Sequence, residues 1–386
     1  MKHHKFLLPV TLLVVSSLLL AACSFKAEIL PTFTPVPSLS VPISLPATET
    51  PAPPTSIPPS ATPTLISIRE GTEYLLENFM TVTEDEDVRS LAFSPDGTIL
   101  AAAGGNADDF AVHIWDAATG QLVGVLGGHT DIVWGLAFSP KGDLLASVSR
   151  DHTAIIYDWR NAEIIKVLNF PDEVDSVGFS PDGQILAVGG IDEPQGQVQN
   201  AAIWTYLVGS WEPSIKYAEY INVATMAYSP KGGTLVGGGT SRNVQVWRTS
   251  DGKSVFTLNH THQVLKVAIS PDGSTVATGT CIDVVNDECS DGGIWLWDLP
   301  SGRLIGKLNG FPNVVENLAF SVDGSLLIAG SRDGTLRAYT TSNYQSTFET
   351  NVPGGISTMS LSADSGMLAT GTLNGDVLFW KNVYHP

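Results

Sequence analysis

The chain lacks most of what catalytic chemistry needs. It contains no His-Glu-x-x-His, no Gly-x-Ser-x-Gly and no phosphate-binding P-loop. That removes the common zinc-hydrolase, serine-hydrolase and nucleotide signatures, and no nucleophile, base and orienter can be assembled from what remains. Charge is scarce at 15% of residues, and basic charge scarcer still, with 20 Lys and Arg against 39 Asp and Glu. The net charge of −19 falls to −21 once a leader carrying Lys2 and Lys5 is removed. Such a surface repels phosphate backbones, so no nucleic-acid partner is expected. Cysteine is nearly absent, with three residues in 386. One apolar run stands out, over residues 6–20, and it is shorter than the ~20 residues a spanning helix wants.

What is present begins with that run. Lys-His-His-Lys at 2–5 precedes it, and Leu20-Ala21-Ala22-Cys23 ends it. A basic start, an apolar stretch and small residues before a cut are the anatomy of an export signal over 1–22. The end resembles the bacterial lipobox. The resemblance implies cleavage before Cys23, acylation of its thiol with chains such as palmitate, and attachment to the membrane of the cell envelope through that N-terminal lipid. Residues 24–64 hold eleven of the 24 prolines, among Ser and Thr. The segment 23–64 is therefore expected to carry the lipid on Cys23 and continue as an unpacked, extended spacer. The folded domain is expected over 65–386.

There a phrase recurs: Leu91-Ala-Phe-Ser-Pro-Asp-Gly97, Leu136-Ala-Phe-Ser-Pro-Lys-Gly142, Val177-Gly-Phe-Ser-Pro-Asp-Gly183, and four further copies whose Ser is residue 229, 270, 321 or 362. Seven copies at 41–51 residues imply seven repeated units. Each reads as an alternating strand, a Pro-Gly turn, a second strand, a third ending in an aromatic, and a fourth, as in Val133–Phe138, Leu144–Ser147, Ala154–Tyr157 and Leu122–Val125. Four antiparallel strands per unit and seven units give an all-β, seven-bladed β-propeller.

Gly128-His129, Arg150-Asp151 and Tyr157-Asp158, with Trp115-Asp116 and Trp297-Asp298, resemble WD repeats. The resemblance covers about 79–380. It implies a buried hydrogen-bonded set in blade 2 of His129, Ser147, Asp151 and Tyr157, with Tyr in place of Trp. His260 and Thr278 in blade 5, and Asp333 in blade 6, match parts of it. It also implies ring closure by an N-terminal strand added to the last blade, for which Phe79–Val82 is suitably placed, because too little chain follows Trp380 for a fourth strand. Residues after the first-strand Val, two before it, and before the turn Asp would share one rim: Arg89, Trp134, Asp175, Leu265 and Glu316; Ile132, Glu173 and Gln263; Arg150 and Arg332. Trp134, Arg150, Arg332 and Arg89 are the candidate protein-binding residues, since Trp and Arg dominate interface hot spots.

The other candidates have plainer readings. Cys281 and Cys289, in an insertion between two strands of blade 5, suit a disulfide in an exported protein, with a metal site as the alternative. His260-Thr-His262 could suggest a metal pair, but His260 falls on the structural histidine. Glu84–Asp87 and Asp287-Glu288 could offer oxygens to calcium, or simply be solvated loops. No catalytic residue, cofactor or metal is assigned. The sequence thus predicts a non-enzymatic, lipid-anchored scaffold for an unidentified protein partner; the alternative is a ligand-binding or hydrolytic propeller that uses its central channel.

Overall fold

A computed structural model describes residues 74–83, 87–105, 109–192, 201–219, 223–239, 242–285 and 288–384. Residues 1–22, Cys23 and the segment 24–64, where an export signal, a lipid and a spacer are expected, lie outside the described residues, as do Glu84 to Glu86 and Asp287. The described residues form seven four-stranded antiparallel sheets and no helix. Blades 1 to 6 each take four consecutive strands, and their inner strands are Val88–Phe93, Val133–Phe138, Val174–Phe179, Thr225–Tyr228, Val264–Ile269 and Val315–Phe320. Blade 7 takes Thr358–Leu361, Met367–Gly371 and Asp376–Tyr384, and its outer strand is Tyr74–Thr83. The predicted ring closure is thus present, with pairing that runs from Tyr74 opposite Tyr384 to Thr83 opposite Asp376. Each inner strand contacts those of both neighbouring blades, and blade 7 meets blade 1, so the ring is continuous.

The second and third strands are close to fully buried, because each sheet packs both faces against neighbours. Leu145, Ala146 and Val148 of blade 2 are inaccessible, as are Ala154 and Ile156. Small apolar clusters therefore sit between successive blades. One joins Ile114 of blade 1 to Leu136 and Tyr157 of blade 2.

The repeated phrase also ties one blade to the next. In each copy the Ser hydroxyl accepts from a backbone amide five residues on, as in Ser94 from Ile99 at 3.0 Å, and in five of the seven it donates to the Asp, as in Asp96 at 2.5 Å, whereas blade 4 carries Lys231 at that place. In blade 2 Lys141 replaces that Asp, and Asp143 takes the Ser139 hydroxyl at 2.6 Å instead. The turn glycines have positive φ, near 70°. Five of them also lie against the proline of the preceding blade: a Cβ on Gly142 would stand 3.3 Å from Pro95 Cδ, and Gly183 and Gly232 sit likewise over Pro140 and Pro181, whereas Gly97 meets Ser362 of blade 7, where Ala363 replaces the proline. Between blades 6 and 7 the phrase is worn, with Val322 for Pro and Ser365 for Gly. There the amide that proline would lack donates to the Ser365 hydroxyl at 2.7 Å.

The two cysteines form a disulfide, with Cα atoms 5.8 Å apart. Sequence placed them in a loop insertion. Instead the second and third strands of blade 5 continue as Thr275–Val285 and Glu288–Asp298, so the bridge ties a lengthened hairpin, and Cys281 is buried.

Candidate functional site

In blade 2 the set is built on a histidine. His129 Nδ1 lies 2.8 Å from Asp151 Oδ2, and Nε2 lies 2.6 Å from the Ser147 hydroxyl. Asp151 also accepts from the Thr130 amide at 2.9 Å and the Thr153 hydroxyl at 2.6 Å. Burial pushes its carboxyl up, but the bonds from His129, Thr153 and Thr130 outweigh this and hold it at about 2. An ionised carboxylate only accepts, so Nδ1 carries the proton. Tyr157 does not complete the network. Its hydroxyl is buried near Ser147 without a hydrogen bond, and burial pushes its pKa up to about 12. A phenol here is shorter than the indole it replaces, so Tyr157 contributes packing.

Blade 5 has a fuller triad. His260 Nε2 lies 2.8 Å from Thr278 Oγ1, and the Trp297 indole donates to the same oxygen at 3.3 Å. His260 Nδ1 donates to the Leu258 carbonyl at 3.0 Å, and burial brings its pKa down to about 4. Both nitrogens are engaged within the protein, and among the described residues no three His, Cys, Asp or Glu side chains gather as a metal site. Blade 7 holds a shorter version that the sequence reading missed, with the Trp380 indole donating to Thr370 Oγ1 at 2.9 Å.

The rim is assembled by a repeated bulge. Antiparallel pairing of the inner strand breaks after Val88, Val133, Val174, Val264 and Val315. The extra residue is Arg89, Trp134, Asp175, Leu265 or Glu316, and a bulge re-aims a side chain out of the ladder. Arg150 is positioned by its amide, which donates to Ile132 O at 3.0 Å.

Four of these residues come together across blades 1 to 3. The guanidinium carbon of Arg89 lies 5.1 Å from the centre of the Trp134 ring, and that of Arg150 lies 5.3 Å from it. Arg89 reaches Asp87 at 2.6 Å, and Arg150 reaches Glu173 at 3.3 Å. Trp134 is half-buried, and its indole nitrogen is buried without a partner. Two guanidiniums lie against the ring, so the surface carries their outer edges. Asp175 closes the cluster. Burial first, then Glu173 and Asp172, push its pKa up to about 6, against the pull of Arg150. Arg332 lies apart, in blade 6, paired with Glu316.

The opposite face carries the phrase turns. The carboxyls of Asp96, Asp143, Asp182, Asp272, Asp323 and Asp364 are all held below the usual range by Ser hydroxyls. A cleft of about 420 Å³ opens there between blades 4 and 5, with Lys231, Arg248 and Asp272 around Phe256 and Leu299. Its serine, Ser229, accepts from the Thr234 amide.

Residues 78–116, 120–158, 252–298 and 302–340 match the family described as "WD domain, G-beta repeat". The chain is 28% identical over 67% of its length to the Periodic tryptophan protein 2 homolog of Neurospora crassa. It is 30% identical over 58% of its length to the B-type cell cycle switch protein ccs52B of Medicago truncatula, and 26% identical over 46% to the U3 small nucleolar RNA-associated protein 15 homolog of Xenopus laevis. The matches span 31%, 44% and 34% of those proteins' own lengths. The fold is a seven-bladed β-propeller carrying WD40 repeats.

Proposed function

We infer that this WD40-repeat propeller is a non-enzymatic docking module for a protein partner, engaged through the rim of blades 1 to 3. The observation that carries the reading is Trp134 held between Arg89 and Arg150, residues drawn from two neighbouring blades to one place on the surface. Indole and guanidinium groups supply most of the binding energy at protein interfaces when they sit fixed and partly desolvated. Here the stack fixes them before any partner arrives, which lowers the ordering cost of binding. The side chain of Arg150 remains 42% exposed, so its outer edge is open to a partner.

The module works outside the cytoplasm of a bacterial cell, anchored to the envelope by a lipid on Cys23 and held off the membrane by the Pro-rich segment 24–64. Leu20-Ala21-Ala22-Cys23 supports this, and so does the Cys281–Cys289 bridge, since structural disulfides persist in oxidising compartments.

Two experiments test the two halves. Solubilised envelope from the source cell is passed over the immobilised chain, over a Trp134→Ala, Arg150→Ser variant, and over a Lys231→Ser variant on the opposite face. The same protein should be retained by the wild type and by Lys231→Ser and lost from the rim variant. Equal retention on all three would refute the rim. Separately, cells fed labelled palmitate should label the wild-type chain and not Cys23→Ser. Label that survives the substitution contradicts the anchor.

A further inference from the structure

Lys266 is the only charged residue of the inner strand Val264–Ile269, and the docking reading gives it no role. It pairs in register with Gly279. The same register in the other inner strands holds Ser90, Gly135, Ser176, Thr225, Asn317 and Thr358, so the seven blades place these residues at one level of the ring. All six are buried, and none is a carboxylate.

In five blades the residue opposite is glycine, and the reason is visible. A Cβ on Gly189, Gly279, Gly330 or Gly371 would run into Val223, Val315, Ile356 or Val88, at or just before the start of the next inner strand, and one on Gly238 would meet Val244 first, with Val264 of the next inner strand at 3.5 Å. Side chains at this level therefore lie where neighbouring inner strands meet around the axis. Thr225 uses the position to accept from the Val267 amide of the next blade at 3.3 Å. Lysine is longer than its six counterparts. It keeps partial solvent contact although protein surrounds it.

Three donors at this level have no partner among the described residues. They are the Lys266 ammonium, the Asn317 side-chain amide nitrogen and the Ser176 hydroxyl. Asn317 is 2% exposed and belongs to the blade next to Lys266, on the side that Gly279 faces. Among the described residues no charged group perturbs Lys266; burial pushes its pKa down. An enclosed ammonium without a counter-charge is costly, and it either sheds its proton or takes an anion from solution. The Asn317 amide N–H₂, at the same register of the adjoining inner strand, favours the second, because it can donate to the anion that the ammonium takes.

We propose that the axis of the propeller binds a small oxyanion, a carboxylate or a phosphate, at Lys266 and Asn317. The site is separate from the docking rim, and its failure would leave the rim untouched. It also runs against the charge of the whole chain, so occupancy must come from local donors rather than from long-range attraction.

The test follows the unfolding midpoint of the purified full chain at pH 7 and constant ionic strength. Sodium chloride is replaced in one arm by sodium phosphate and in another by sodium acetate. A ligand tenfold above its Kd should raise the midpoint of the wild type by about 2–3 °C. Lys266→Met should abolish the rise, and Asn317→Ser should weaken it; the arm that responds tells phosphate from carboxylate. The Asn317→Ser comparison stands even if Lys266→Met does not fold. An equal rise in all chains, or none in the wild type, overturns the proposal. So does a nitrogen resonance showing Lys266 as a neutral amine in both anions.

Discussion

Asp151 accepts hydrogen bonds from His129, Thr153 and Thr130 at once, and that convergence fixes both its ionisation and the histidine tautomer. Its carboxyl sits at about 2 against an ordinary 3.8, so ionised Asp151 favours the folded state. The stabilisation is complete above pH ~4 and is lost as pH falls through 2, with a size of about 2 kcal/mol. Asp151→Asn should lower urea stability by that amount at pH 7, and the gap should narrow toward pH 2. A gap independent of pH would mean that the charge is not the source. At this scale the sequence was partly readable. The spacing of His129, Ser147 and Asp151 was enough to nominate the set, because short side chains on paired strands have little freedom in where they reach. The Tyr157 hydroxyl was not readable, since sequence does not say that a phenol falls short of a partner an indole would find. Nor was the Arg89–Trp134–Arg150 stack, which depends on the rotamers of two long side chains. Lys266 did leave a trace, as a lone charge in an otherwise apolar strand.

At the scale of elements, the phrase turn closes a strand pair and also packs one blade on the next. Proline offers a flat ring without an amide, and glycine offers positive φ without a Cβ, so the two fit as a pair around the ring. The worn junction keeps the contact by a different bond, from the Val322 amide to the Ser365 hydroxyl, with Ser365 strained at φ 56°. Ser365→Ala removes the bond and keeps the strain, and should cost about 0.5–1 kcal/mol in chemical denaturation. The double variant Val322→Pro, Ser365→Gly restores the repeated pairing and should be at least as stable as the wild type. A double variant less stable than Ser365→Ala would show that the stitch is not what the turns contribute. Strand placement was legible because alternation and turn residues repeat seven times; the inner strand Val133–Phe138 falls where sequence put it. The blade 5 hairpin was not legible. Cys281 and Cys289 mark an insertion, but whether inserted residues loop out or prolong a ladder depends on pairing that a single chain does not display.

The whole molecule sets two unlike faces on one ring. One carries six carboxylates kept ionised by serine hydroxyls, and the other the bulge residues, with guanidiniums stacked on an indole. Closure by Tyr74–Thr83 makes the ring continuous, which holds residues of separate blades at fixed separations. That rigidity lets Arg89 of one blade and Trp134 of the next act as a single surface. The measurement that tests the docking account most directly is photo-crosslinking in intact cells. A photoreactive residue is placed at Arg150 in one chain and at Asp272, on the opposite face, in another. The account predicts a discrete crosslinked protein from position 150 and none from 272. The same product from position 272, with none from 150, would contradict it.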